Sequence, residues 1–139
     1  LVAAFRAPLE ELQEADVLLH VVDVAHPRAA EQAQVVEDTL AELGLAEKPR
    51  LLVLNKVDLL VPSEAAAQAL LARGRLASDG AALHQHPSVL VSAERGWGLG
   101  RLLALVEEAV ARARRIAQAA EAERRMPAWL RELGPAEPT

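Results

Sequence analysis

The chain has 139 residues, a length that suits one domain and can bury a sizeable core, yet aromatics make up only 2% against 52% apolar residues, so that core has to be built from Leu, Val and Ala. The formal net charge of −5 and the lack of cysteine argue against a nucleic-acid surface of clustered cations and exclude disulfides, thiolate metal sites and a cysteine nucleophile. The longest apolar runs fall far short of the ~20 residues that a bilayer span needs, and no basic-headed signal peptide opens the chain, so no membrane partner is expected and a cytoplasmic location is.

Leu1 to Ala15 reads as helical, with Pro8 interrupting it and starting a second short helix. Val17 to Val22 is apolar apart from His20 and is flanked by Asp16 and Asp23, the pattern of a fully buried strand. Pro27 opens a helix whose apolar positions are Val35, Val36, Leu40 and Leu43, with Thr39 among them and Gly44 as its C-terminal cap. After Pro49, Arg50 to Leu54 reads as a second buried strand. Ser63 is placed to cap a short helix through about Ala72, with Glu64 in its first turn. Gly74 to His86 reads as an irregular connection, and Ser88 to Val91 as a third strand. The Gly96-Trp97-Gly98 loop then leads into the longest helix, Leu99 to about Ala120. Its expected buried face is Leu102, Leu103, Leu105, Val106, Ala109, Val110 and Ala113. Trp97 is expected to pack on that helix. Strands alternating with helices predict an α/β fold with a three-stranded parallel core sheet flanked by helices, a sheet that normally has further neighbours on at least one edge.

One stretch carries chemistry. Arg50-Leu51-Leu52-Val53-Leu54 runs straight into Asn55-Lys56-Val57-Asp58. Asn55 is the only asparagine of the chain, and Lys48 and Lys56 are the only lysines among its 15 basic residues. The motif sits at the carboxyl end of a strand, where open α/β sheets bind ligands. Guanine presents two adjacent donors, a ring N–H and an exocyclic amino group, and one carboxylate, Asp58, can accept both. Adenine offers an acceptor at that ring position and would leave the carboxylate unsatisfied, at a cost of about 1–3 kcal/mol. The Asn55 amide can donate to a base while tying neighbouring loops together. Lys56 can lay its aliphatic stem on a base face, which the wide fork of Arg would not do. Ser92-Ala93 follows the next strand, where a small residue lets a backbone N–H approach the guanine carbonyl oxygen. Ordinary strand-to-helix turn chemistry would use the same residue types.

With Ser92 and Ala93, the residues Asn55, Lys56 and Asp58 resemble the fourth and fifth guanine-nucleotide motifs of the translation-factor class of GTPases. Within that class, Phe5-Arg6-Ala7-Pro8-Leu9-Glu10-Glu11, followed by Ala15-Asp16 and His20-Val21-Val22-Asp23, resembles HflX, over about Leu1 to Val110. Pro8 stands where that family usually has Ser or Thr. The resemblance implies a partial P-loop GTPase (Rossmann-like) domain, GTP or GDP and Mg²⁺ as ligands, and the large ribosomal subunit as partner. It places the phosphate-binding loop and both switches before Leu1. No Gly-x-x-x-x-Gly-Lys-Ser/Thr run and no Asp-x-x-Gly switch occurs in these residues. The expected organisation is therefore 1–120 as the C-terminal half of a GTP-binding domain, with 121–139 as a tail, in a chain that begins at Leu1 as a truncated or excised segment would. Such a chain would read guanine but not hydrolyse GTP alone, and its first strand would be an exposed edge prone to self-association. Two alternatives stay open on the residues: a non-catalytic α/β interaction module with vestigial guanine recognition, and a GTPase of the Obg or Era type.

The remaining candidates read as structural. His20 is expected to be a hydrogen-bonded core histidine, and Asp23 to fix the loop before Pro27. His84 and His86 lack the further ligands a metal site needs. Arg112, Arg114, Arg115, Arg124 and Arg125, interleaved with Glu121 and Glu123, read as a solvated helix face. Trp129 either docks the tail or marks a partner surface.

Overall fold

The computed structural model describes residues 6–72 and 86–134. Three strands, β1 (Leu18–Asp23), β2 (Arg50–Asn55) and β3 (Ser88–Leu90), form a parallel sheet in the order β1-β2-β3. Five helices accompany it among the described residues: α1 (Arg6–Glu14), α2 (Ala29–Glu42), α3 (Glu64–Ala72), α4 (Leu99–Arg125) and α5 (Ala128–Arg131). The three-stranded parallel sheet flanked by helices is the fold class that the alternation predicts. Leu1 to Phe5 and the connection before His86 lie outside the described residues. Pro8 lies near the start of α1, where proline is tolerated; whether a helix precedes it falls outside the described residues.

β2 and β3 bury residues on both faces of the sheet, β1 on one. Leu51, Leu52, Val53 and Leu54 of β2 are all buried, each contributing about 1.5–3 kcal/mol. One face carries Val22, Leu52, Leu54 and Leu90 against Ala33 of α2 and Ala67 of α3. The other carries Val53, Val89 and Val91 against Leu102 and Leu105 of α4. Leu9 and Leu12 of α1 close the end near Leu18, Leu40 and Leu45. β1 is not the fully buried strand that its composition suggests. It alternates, with Leu18, His20 and Val22 inside while Leu19 is 48% and Val21 60% exposed. No other described strand pairs with its outer edge. α4 covers β2 and β3, and its half-buried stripe is Leu102, Leu105, Val106, Ala109, Val110 and Ala113; Leu103, expected in that stripe, faces solvent.

α2 sets the register of the sheet's other layer in a way its apolar residues do not indicate. Val35, Val36 and Leu43 are exposed, and the buried positions are Ala33, Glu37 and Leu40. Glu37 is drawn inward by two cations or donors of the sheet. Its carboxylate lies 3.1 Å from His20 Nδ1 and 2.9 Å from Arg50 Nε. The Arg50 guanidinium also donates to the carbonyls of Leu45, Ala46 and Lys48, so the buried charge is satisfied on every side. His86 stands at the rim of this cluster, 3.2 Å from Arg50 Nε. Burial, then the adjacent Arg50 charge, lowers its pKa. The helix ends in a Schellman motif: Leu45 N–H bonds Leu40 C=O, Gly44 N–H bonds Ala41 C=O, and Gly44 adopts φ +77°.

Beyond Ala113 α4 projects away from the sheet with nearly every side chain exposed, held by pairs of Glu121 with Arg124 and Arg125. It therefore runs five residues past the predicted end. Trp129 is 66% exposed on α5 and does not dock.

Removing the Glu37 carboxylate strands two buried partners, so Glu37→Ala should cost about 3–5 kcal/mol, read as a fall in the urea midpoint. The open face of β1 should make residues 1–139 associate with rising concentration, and Val21→Lys should reduce that association in sedimentation velocity.

Candidate functional site

Parallel strands put all their carboxyl ends on one side. The register pairs Asp23 with Asn55, so β1 and β2 finish together on polar residues. Beyond β3, Val91 N–H bonds Leu54 C=O and carries the chain to Ser92. Three loops thus leave the same edge of the sheet: 23–28, 55–62 and 92–98.

Lys56 turns the second loop. It is the only non-glycine among the described residues with positive φ, at +69°. That turn leads into a 3-10 turn at Val57–Leu59, anchored by fully buried Val57, whose N–H bonds Val91 C=O at 3.2 Å. Asp58, half-exposed, follows on this turn beside the site. Lys56 Nζ lies 3.1 Å from Asp23 Oδ2. The other Asp23 oxygen accepts the Ala25 N–H at 3.0 Å and fixes the first loop, as expected of that residue. The Lys56 ammonium, together with this N–H, holds the Asp23 carboxyl below its ordinary value.

Asn55 bridges to the third loop, its Oδ1 accepting the Ala93 N–H at 3.0 Å. The amide therefore ties two loops through its oxygen. The Ala93 N–H, one of the backbone donors at Ser92-Ala93, is thus engaged by Asn55. Ser92 is fully buried and acts within its own loop: its Oγ accepts the Arg95 N–H, and its C=O accepts those of Gly96 and Trp97.

The sequence places Glu64 in the first turn of α3 but does not reveal its partner. Glu64 accepts the Gly98 N–H at 3.1 Å and clamps the far end of the third loop. Gly98 has φ +73°, and a Cβ there would stand 2.2 Å from Leu90 O. Trp97 packs with the cluster of Leu90 and Ala67 on the α3 face rather than with the α4 cluster. Beside it opens a cavity of about 390 Å³ lined by Glu64, Val89, Trp97 and Arg101. Asn55, Lys56 and Asp58 do not line that cavity. Among the described residues no group of three or more His, Asp or Glu side chains could hold a metal ion.

No family model matches the chain. It is 39% identical over 109 residues to the GTPase HflX of Caldanaerobacter subterraneus subsp. tengcongensis, covering 77% of this chain and 21% of that protein. It is 42% identical over 111 residues to the GTPase HflX of Chlamydia pneumoniae, covering 79% and 21%. With the GTPase HflX of Akkermansia muciniphila it shares 41% over 116 residues, covering 83% and 25%.

The chain belongs to the HflX family.

It spans between a fifth and a quarter of the length of these HflX relatives. The match favours HflX over the Obg or Era alternative. No described helix is long and apolar enough to cross a membrane.

Gly98 and Gly96 separate two costs in the third loop. Both have φ near +75°, but a Cβ at Gly96 meets nothing within 4 Å. Gly96→Ala should lose about 1–2 kcal/mol from left-handed strain alone. Gly98→Ala should lose clearly more in the same denaturation series, because the Leu90 carbonyl has to move.

Proposed function

We propose that this chain is the guanine-reading part of the GTP-binding domain of an HflX-type GTPase, with residues 1–120 belonging to that domain and 121–139 forming a tail. The observation that carries the reading is the joining of Asn55-Lys56-x-Asp58 to Ser92-Ala93 at the carboxyl edge of the sheet, through the Asn55–Ala93 hydrogen bond. Asp58 accepts the ring N–H and amino group of guanine, Asn55 donates through its amide, and the Lys56 stem lies along the base. When the base binds, the Ala93 N–H is shared with, or passes from, Asn55 Oδ1 to the guanine carbonyl oxygen.

Recognition and hydrolysis are separable in this reading. Hydrolysis depends on a phosphate cradle, its lysine and Mg²⁺, which neutralises charge on the transferring phosphoryl group. Among the described residues no group of three or more His, Asp or Glu side chains could hold that ion. The large ribosomal subunit is the partner that the family resemblance implies, and a cytoplasmic location goes with it.

The test is calorimetry with the protein expressed from its complete coding sequence. GDP should bind with strong preference over ADP, and Asp58→Ala should weaken GDP by about 10- to 100-fold, the equivalent of 1–3 kcal/mol for two stranded donors. Equal affinity for GDP and ADP in folded protein would sink the reading.

A further inference from the structure

The sheet edge carries a side chain that the four-residue motif does not include. Lys56 has the longest stem at the site and several free torsions, so an unrestrained ammonium would sweep a wide volume. Its left-handed backbone aims the chain out of β2, and the ammonium ends 3.1 Å from Asp23 Oδ2, at the end of the neighbouring strand. The stem therefore runs from the second loop towards the first. Asp23 is itself immobile: it closes β1, its strand position is paired with Asn55, the Val24 N–H bonds the Asn55 C=O, and its second oxygen is held by the Ala25 N–H. The other lysine of the chain, Lys48, donates to the Gln13 carbonyl near the opposite end of the sheet and plays no part here.

We infer that Asp23 is a positioning residue for guanine-nucleotide binding, holding the Lys56 ammonium so that the lysine stem is laid out as a platform for the base before the nucleotide arrives. The inference rests on the guanine reading proposed above. A carboxylate is required because the Lys56 contact is an ion pair, whereas the loop contact to Ala25 needs only an acceptor oxygen. Asp23→Asn keeps that acceptor and replaces the charged oxygen facing Lys56, so it removes the tether and leaves the turn. The benefit is gained in preorganisation, since the lysine no longer has to be ordered when the base binds.

The experiment is a double-mutant cycle on GDP binding, using the protein expressed from its complete coding sequence, with wild type, Asp23→Asn, Lys56→Met and the double variant measured by calorimetry. Asp23→Asn should weaken GDP about three- to tenfold, and GTP by the same factor because both carry the same base. In the Lys56→Met background it should cost nothing further. An equal loss in both backgrounds would show that Asp23 acts through its loop and not through Lys56, and no loss in either would remove any role; each outcome overturns the inference. Both of those leave GDP preference over ADP and its dependence on Asp58 intact. Failure of the guanine reading shows differently, as a wild-type protein without that preference, and takes this inference with it. Thermal unfolding of Asp23→Asn should stay close to wild type, since Asn keeps the acceptor for the Ala25 N–H and the lost ion pair faces solvent.

Discussion

Everything at the functional edge depends on the parallel pairing of β2 with both its neighbours. Because the strands run in the same direction, each ends on the same side, and three loops distant in sequence are brought within hydrogen-bonding reach of one another. β2 can hold this place because it is apolar through four consecutive residues and buried on both faces. An antiparallel arrangement would put Asn55 at one end of the sheet and Ser92 at the other.

The two layers over that sheet are fixed by different physics. On the α4 side, Leu102 and Leu105 settle on Val53, Val89 and Val91 by apolar contact alone. On the α2 side a buried carboxylate decides the helix's rotation. Glu37 reaches His20 and Arg50, and the small Ala33 one turn earlier lets α2 approach closely. The outcome leaves Val35, Val36 and Leu43 exposed, a cost that the satisfied ion pair and the Leu40–Leu45 contact of the helix cap offset.

The site is a set of ties more than a cavity. Asn55 to Ala93, Lys56 to Asp23 and Glu64 to Gly98 each link a loop to another element, and each uses a side-chain group to hold a backbone group or a partner's charge. The three ties hold the polar groups of this edge in place against one another. HflX relatives are four to five times longer than the matched segment.

Local signals made most of the fold legible. The Ser63 cap, with its Oγ on the Ala66 N–H, the Gly44 cap and the three strands are all placed by residues acting within a few positions of themselves. The Asn-Lys-x-Asp stretch was likewise visible, because its composition is so unlike the rest of the chain. What sequence alone could not give were the relations between elements. The phase of α2 depends on His20 and Arg50, residues 17 and 13 positions away on two strands; the exposure of Leu19 and Val21 depends on which helix covers which strand; and the partners of Lys56 and Gly98 lie 33 and 34 residues off. Periodicity counts apolar residues along one element, so it misplaces a face that a buried charge organises. The sequence by itself determined the elements, their order and the polar residues that end β2. Only the tertiary structure decided which side chains hold one another there, because ion pairs and loop ties depend on distances in space that strand register and helix packing set.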